Sequence, residues 1–162
     1  MYGRINLEKV DYALDKEIKN IKPSLKEATE VFVNYCLYKD FNSVHPLYQD
    51  DIDLYAWNCL YEEDRLIAWE QTLLYPKDKV AFSQQFAWDY KQPWKRIGWR
   101  FSYHVPAWLK TKGYKYLYLG DHHEYKSKIK GYEVLEHIDK HLDGSFKKWA
   151  SHPTRRLVEC FG

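Results

Sequence analysis

From Leu7 the apolar positions Val10, Leu14, Ile18 and Ile21 recur every three or four residues, the spacing that gathers side chains on one face of a helix. The pattern predicts a helix ending at Pro23, because proline cannot continue a helical ladder. Ser24, followed three residues later by Glu27, reads as a capping box. Behind it Leu25, Ala28, Val31, Phe32, Tyr35 and Cys36 form the apolar stripe of a second helix that fades near Asn42. After the loop around His45 and Pro46 the period shortens. Leu54 to Tyr61, Arg65 to Tyr75 and Val80 to Tyr90 read as strands rich in aromatic and aliphatic residues. The short polar breaks Glu62-Glu63-Asp64 and Pro76-Lys77-Asp78-Lys79 suit antiparallel hairpins, so the three strands are expected to form a meander.

Pro93 marks the entry to a further helix, from about Trp94 to Lys112, with Pro106 expected to kink it. Gly113 stops that helix. Tyr114 to Leu119 reads as a strand closed by Gly120, and Tyr132 to Leu142 as a last helix with Val134, Leu135, Ile138 and Leu142 inward. A strand, helix, strand crossover added to a meander makes an α+β or mixed α/β sheet. With 162 residues and apolar positions along the whole length, one domain spanning residues 1–162 is the expectation.

Composition narrows the classes. Lys plus Arg 25 against Asp plus Glu 23 leaves a formal charge of +2, without the global basic field of a protein that coats duplex DNA. Positive charge gathers locally instead, in Lys110, Lys112, Lys115, Lys126, Lys128 and Lys130, interleaved with Tyr114, Tyr116, Tyr118 and Tyr125. A solvated lysine face is the plain reading of such a run. Cys36, Cys59 and Cys160 lie far apart with no CxxC pair, which argues against a disulfide framework or zinc knuckle. The charged N-terminus and the lack of a long apolar run predict a cytoplasmic protein without a membrane span.

The stretch GYKYLYLGDHHEYKSKIKGYEVLE, residues 113–136, resembles the signature of the aminoacyl-tRNA protein transferases of the arginyl and leucyl family. In that family a Tyr-Leu-Gly strand end precedes a Tyr-Lys pair and then a Pro-Leu-Glu. The matching residues are Tyr118, Leu119 and Gly120, then Tyr125 and Lys126, then Gly131, Tyr132 and Glu133. VNYCLYKDFNSVHP and FSQQFAWDYKQPWKRIG resemble two further family segments, the second with Arg96 where the family's turn has a serine. Gly131 stands where the family has proline, and about five residues between its two tyrosine motifs are missing. The cysteine-rich N-terminal region of the arginyl branch is absent.

The resemblance implies a GNAT-like fold: two N-terminal helices, an antiparallel meander, then helix, strand and helix, with a splayed strand pair forming the acyl-donor cleft. It implies transfer of an aminoacyl group from the acceptor end of a tRNA to the amine of a protein or peptide, with aminoacyl-tRNA as donor, no required cofactor and no metal.

Four residues are the catalytic candidates. Unpaired backbone N–H groups around Trp88 and Asp89 would stabilise an oxyanion; Tyr118, or His122 as a weak base, would move protons. Substrate-binding candidates are Arg96 and Gly98 at a helix entry suited to phosphate, Gly120, the Tyr125 and Lys126 pair as a seat for a terminal adenosine, and Glu133, which would bind an amino group or cap the last helix. Tyr118 and Glu133 read equally well as a packing aromatic and a helix cap. His122 and His123 beside Asp121 and Glu124 lack the distant third ligand that a metal needs, and His45 and His104 read as ordinary polar packing.

Two other functions remain open. A CoA-dependent N-acetyltransferase is disfavoured because the chain has Lys95-x-x-Gly98 followed by Trp99 and Arg100, and a bulky Arg100 would crowd a pyrophosphate turn. A catalytically inert GNAT-like module that binds RNA or protein is the other.

Overall fold

The computed structural model describes residues 1–41, 55–91 and 95–136. Among these, seven strands form one sheet in the order β2-β3-β4-β5-β6-β1-β7, where β1 is Tyr2–Asn6, β2 Ile18–Lys19, β3 Tyr55–Glu62, β4 Arg65–Tyr75, β5 Val80–Trp88, β6 Tyr116–Asp121 and β7 Tyr132–Leu135. Two helices, α1 (Leu25–Lys39) and α2 (Ile97–Thr111), cover opposite faces.

The meander forms as its apolar, aromatic-rich strands and short polar turns predict: β3 pairs antiparallel with β4, and β4 with β5. Helix α1 starts at Ser24, whose hydroxyl accepts from the Glu27 N–H, and ends earlier than expected, with Asp40 left-handed at φ 57°. Its Ala28, Phe32, Tyr35 and Cys36 pack on Trp57, Trp69 and Ala87, and the Trp69 indole donates to the Ala28 carbonyl at 2.9 Å. On the other face α2 buries Phe101, Val105 and Leu109 against Ile5, Leu7, Ala81 and Leu117. Pro106 lies inside α2, which runs on to Thr111. It connects β5 to β6, the parallel pair.

The expected first helix does not form. Leu14 and Ile21 are 46% and 50% exposed, so half of the presumed apolar face lies in water. The segment is organised instead by long-range pairing: β1 lies between β6 and β7, and β2 adds to β3. Between them a 3-10 turn (Leu7–Lys9) and an extended stretch run along α2, where helix side chains satisfy their backbone groups. The Lys110 ammonium donates to the Val10 carbonyl at 2.6 Å, and His104 Nδ1 accepts from the Asp15 N–H at 2.9 Å. Arg100 grips the Asp15 carboxylate with two bonds of 2.7 and 3.1 Å.

The expected last helix is also replaced where it is described. Residues 132–135 are strand β7, whose ladder partner β1 offers backbone groups that a helix would leave facing solvent. Gly131 leads into it at φ 82°, where a Cβ would lie 2.4 Å from the Asn6 carbonyl oxygen. Proline, locked near φ −65°, cannot occupy that position. The remainder of that predicted helix, the loop at His45 and Pro46, the helix entry at Pro93 and Trp94, and Cys160 lie outside the described residues.

Candidate active site

Strands β5 and β6 run together only at Val80–Phe82 against Tyr116–Tyr118. Beyond that point they part. Both neighbouring ladders are irregular at this level: the β4–β5 ladder carries a register shift between Gln71 and Thr72, and the β1–β6 ladder one between Gly3 and Arg4. Bulges of this kind bend and twist a strand. The gap becomes a cleft of about 550 Å³ bordered by α1, α2 and both strands.

The N-terminus of α2 opens onto the cleft. Arg96 caps it in a left-handed conformation (φ 51°) with no side-chain cap bond, and the first intrahelical bond is from the Arg100 N–H to the Arg96 carbonyl. The N–H groups of Ile97, Gly98 and Trp99, all lining residues, therefore have no acceptor within the helix, the arrangement that favours an anion. A Cβ on Gly98 would meet nothing within 4 Å, so this turn presents bare backbone to the cleft. Arg96, Lys39 and Lys126 bring positive charge to the same walls.

Among the described lining residues one is an acid. Glu70, in the middle of β4, lines the cleft yet is only 4% exposed. The Thr72 hydroxyl donates to its Oε1, and the Asn58 amide donates to Oε2 at 3.5 Å. Burial pushes this carboxyl up to about 7, the two donors partly opposing the rise. A carboxyl raised this far suits the work of a general base near neutral pH. Sequence reading missed Glu70. The available signal was a charged residue at the centre of the apolar strand IAWEQTLL, a position a carboxylate occupies rarely without a reason.

The sequence candidates divide. Trp88, Arg96, Gly98, Tyr125 and Lys126 line the cleft together. The Asp89 N–H donates to the Ile67 carbonyl at 2.7 Å, so by alternation the N–H groups of Phe86 and Trp88 point away from β4 into the gap. Asp89 itself is not in the cleft; its N–H is bonded and its carboxylate holds Arg65 at 3.1 Å and the Lys91 N–H at 3.0 Å.

Tyr118 is 1% exposed in a separate cluster with Leu73, Phe82 and Leu135, where its hydroxyl accepts from Arg4 at 3.3 Å. Glu133 neither caps a helix nor reaches the cleft, because it pairs across the strands with Arg4 at 2.7 Å. Gly120 faces Gly3 on β1 beside the bulge. His122 bonds Tyr132 at 2.8 Å and Glu124 at 3.4 Å and is no part of the cleft lining. Lys95 pairs with Glu62. Arg100, gripped by Asp15, is turned from the helix start and does not crowd it, so that objection to CoA falls.

This architecture is shared with solved structures. The C-terminal domain of a lysylphosphatidylglycerol synthetase from Agrobacterium fabrum superimposes with a TM-score of 0.57 at 12% identity, over 74% of this chain and 45% of that one. A protein assigned to the GNAT acetyltransferase family, from Novosphingobium aromaticivorans, gives 0.58 at 14% identity over 83% and 59%. The N-myristoyltransferase of Saccharomyces cerevisiae, solved with myristoyl-CoA, gives 0.51 at 10% identity over 74% and 42%. This chain has the GNAT fold.

The expectation of a mixed α/β GNAT-like sheet holds at that level, while its element order changes at both ends. The chain spans about half the length of these structures. No family model matches the sequence, and no curated protein does. Among the described residues no helix is long and apolar enough to cross a membrane, and no cluster of three or more His, Cys, Asp or Glu is placed to hold a metal.

Proposed function

We propose that this protein is an acyltransferase that moves an aminoacyl group from aminoacyl-tRNA to the amine of a protein or peptide. The observation that carries the reading is Glu70, a buried carboxyl on the wall of the cleft with a value raised by burial. In this reading the α2 N-terminus with Arg96 and Lys126 receives the phosphates of the donor's 3′ end, and Tyr125 offers a ring to its terminal base. The acceptor's nitrogen attacks the ester carbonyl, forming the new C–N bond and a tetrahedral oxyanion. The N–H groups of Phe86 and Trp88 stabilise that charge. Ionised Glu70 takes the proton from the attacking amine, then returns it to the ribose oxygen as the C–O bond breaks, so the carboxylate is regenerated each turnover. An α-amine has a pKa near 8, which makes a base of moderate strength sufficient.

Incubation with each charged tRNA and peptides bearing a free N-terminus tests this, with transfer rising through pH 7 as Glu70 ionises. Failure of every aminoacyl-tRNA to donate would overturn it. The position of Arg100 favours a second reading, an acyl-CoA-dependent N-acyltransferase in which the same helix start holds the pyrophosphate. A rise in melting temperature with acetyl-CoA or longer acyl-CoAs supports that reading, and no shift at saturation removes it.

A further inference from the structure

Asn58 stands directly opposite Glu70 on β3 and is not among the residues that line the cleft. It is fully enclosed, at 0% exposure. Its amide nitrogen donates to Glu70 Oε2 at 3.5 Å, while its Oδ1 is buried with no donor. A buried amide with one end unsatisfied is costly, so a strand that needed only packing here would be better served by an apolar side chain. The neighbouring carboxyl supplies a reason for the amide. Glu70 is itself 4% exposed, and its Oε1 already has the Thr72 hydroxyl as donor. In the proposed reaction it alternates between carboxylate and acid. A carboxylate takes only donors, whereas the acid form carries an O–H that needs an acceptor. Asn58 holds one of each on a group whose two ends are nearly equal in shape, and a half-turn about its last side-chain bond exchanges them.

Resting on the acyltransfer reading, we infer that Asn58 is the positioning residue of Glu70, its amide donating to the carboxylate and turning over to accept the proton of the resting acid. Either state of Glu70 then finds a partner at Oε2, and the carboxyl keeps its place on the cleft wall through the cycle. One amide end lacks a partner in each orientation, so neither is locked. The charged groups around Glu70 do not take this role. Tyr35 and Lys39 on α1, Arg96 at the start of α2 and Lys126 line the same cleft. Burial raises the Glu70 carboxyl, and the bonds from Thr72 and then Asn58 lower it, with no contribution from those groups. On β3 the Cys59 thiol is pushed up to about 12, chiefly by burial, and stays neutral.

The test begins on the free protein, with no donor present. In nuclear magnetic resonance the nitrogen-15 side-chain amide of Asn58 and the carbon-13 carboxyl of Glu70 should titrate together with one inflection, and the Asn58 titration should vanish in Glu70→Gln. An amide that stays still while the Glu70 carboxyl titrates overturns the inference. Asn58→Leu, apolar and close in volume, removes donor and acceptor at once. It should move the Glu70 inflection up by about one pH unit, because the ionised form loses a donor, and should lower the transfer rate on the acid side by about tenfold with KM little changed. A folded Asn58→Leu with an unmoved inflection would show that the amide only packs. If that variant does not fold, Asn58→Asp keeps the shape and should also move the inflection up, since it sets a second carboxyl against the first; no movement there counts equally against the proposal. Coupled titration without transfer from any charged tRNA would sink the transferase reading and leave the role of Asn58 in holding Glu70 standing. Transfer with a still amide would do the reverse.

Discussion

The two ends of the β5–β6 pair differ in almost every physical respect. At the closed end Val80–Phe82 and Tyr116–Tyr118 share a parallel ladder, and the side chains above it, Leu73, Phe82, Tyr118 and Leu135, form a sealed cluster. Polar groups there satisfy one another: Arg4 joins Glu133 and the Tyr118 hydroxyl and lies over the Tyr116 ring at 3.9 Å. At the open end the same two strands have lost each other as partners. Backbone donors, a helix N-terminus, three cations and a buried acid face a common space. Reactive-looking residues at the closed end serve stability; those at the open end line the cleft.

The largest expected effect lies at the open end. Glu70→Gln should lower the transfer rate by about 10²- to 10⁴-fold and abolish the rise of rate through pH 7. The same change should stabilise the fold above pH 7. Glu70 has a folded value raised from 4.5 to about 7; between those values the unfolded chain binds fewer protons than the folded one, so native stability falls as pH rises. The penalty at pH 8 is on the order of 3 kcal/mol, and glutamine removes it. Melting temperatures of the two proteins should therefore diverge at pH 8 and converge near pH 4; parallel curves would show that the carboxyl is not buried.

At the closed end the balance should invert. Tyr118→Ala is expected to cost about 3 to 5 kcal/mol by denaturant unfolding, because the ring is fully enclosed. Tyr118→Phe should leave the transfer rate unchanged, and a large loss of rate in that variant would place its hydroxyl in the chemistry after all. Next in size, Lys126→Met should raise the donor KM by roughly tenfold, about 1.4 kcal/mol, with little change in kcat.

The smallest effect sharpens the contrast most. Gly98→Ala should stabilise α2 by at most about 1 kcal/mol, since its Cβ would meet nothing. It should also raise the donor KM, because the added methyl projects where an anion would approach. Higher melting temperature combined with weaker donor binding marks an open turn; a stability loss would mean that the turn is packed.

The candidates of the 113–136 stretch split along this same line. Tyr125 and Lys126 reached the cleft; Tyr118, His122 and Glu133 did not. In a strand, neighbouring side chains point to opposite faces, so Leu117 and Leu119 line the cleft while Tyr118 between them enters the closed cluster. The motif marks a region of the chain; it carries no information about which face each residue takes. His122 is directed by Tyr132 on β7, a partner invisible when residues 132–142 read as a helix. Gly131, at φ 82° against the Asn6 carbonyl, belongs to the turn that makes β7 possible.

Local chemistry was enough for the meander and for α1. Runs of aromatic and aliphatic residues with short polar turns define β3, β4 and β5, and the Ser24 and Glu27 cap defines the start of α1, because these signals act between residues a few positions apart. The N-terminal segment carried a helical period in Val10, Leu14 and Ile18, and tertiary structure overruled it. Burial of Ile5, Leu7 and Val10 beneath α2, with His104 and Lys110 holding the intervening backbone and Arg100 the Asp15 carboxylate, outweighs what an isolated helix of that length could gain. The site followed the same division. Sequence placed a phosphate-suited helix entry at Arg96 and Gly98 and an aromatic-basic pair at Tyr125 and Lys126. Only the tertiary structure, by parting β5 from β6 and burying Glu70 beside the gap, decided which of these groups share one space and which acid answers them. Ladder register and burial are long-range properties, set by pairings between residues far apart in the chain.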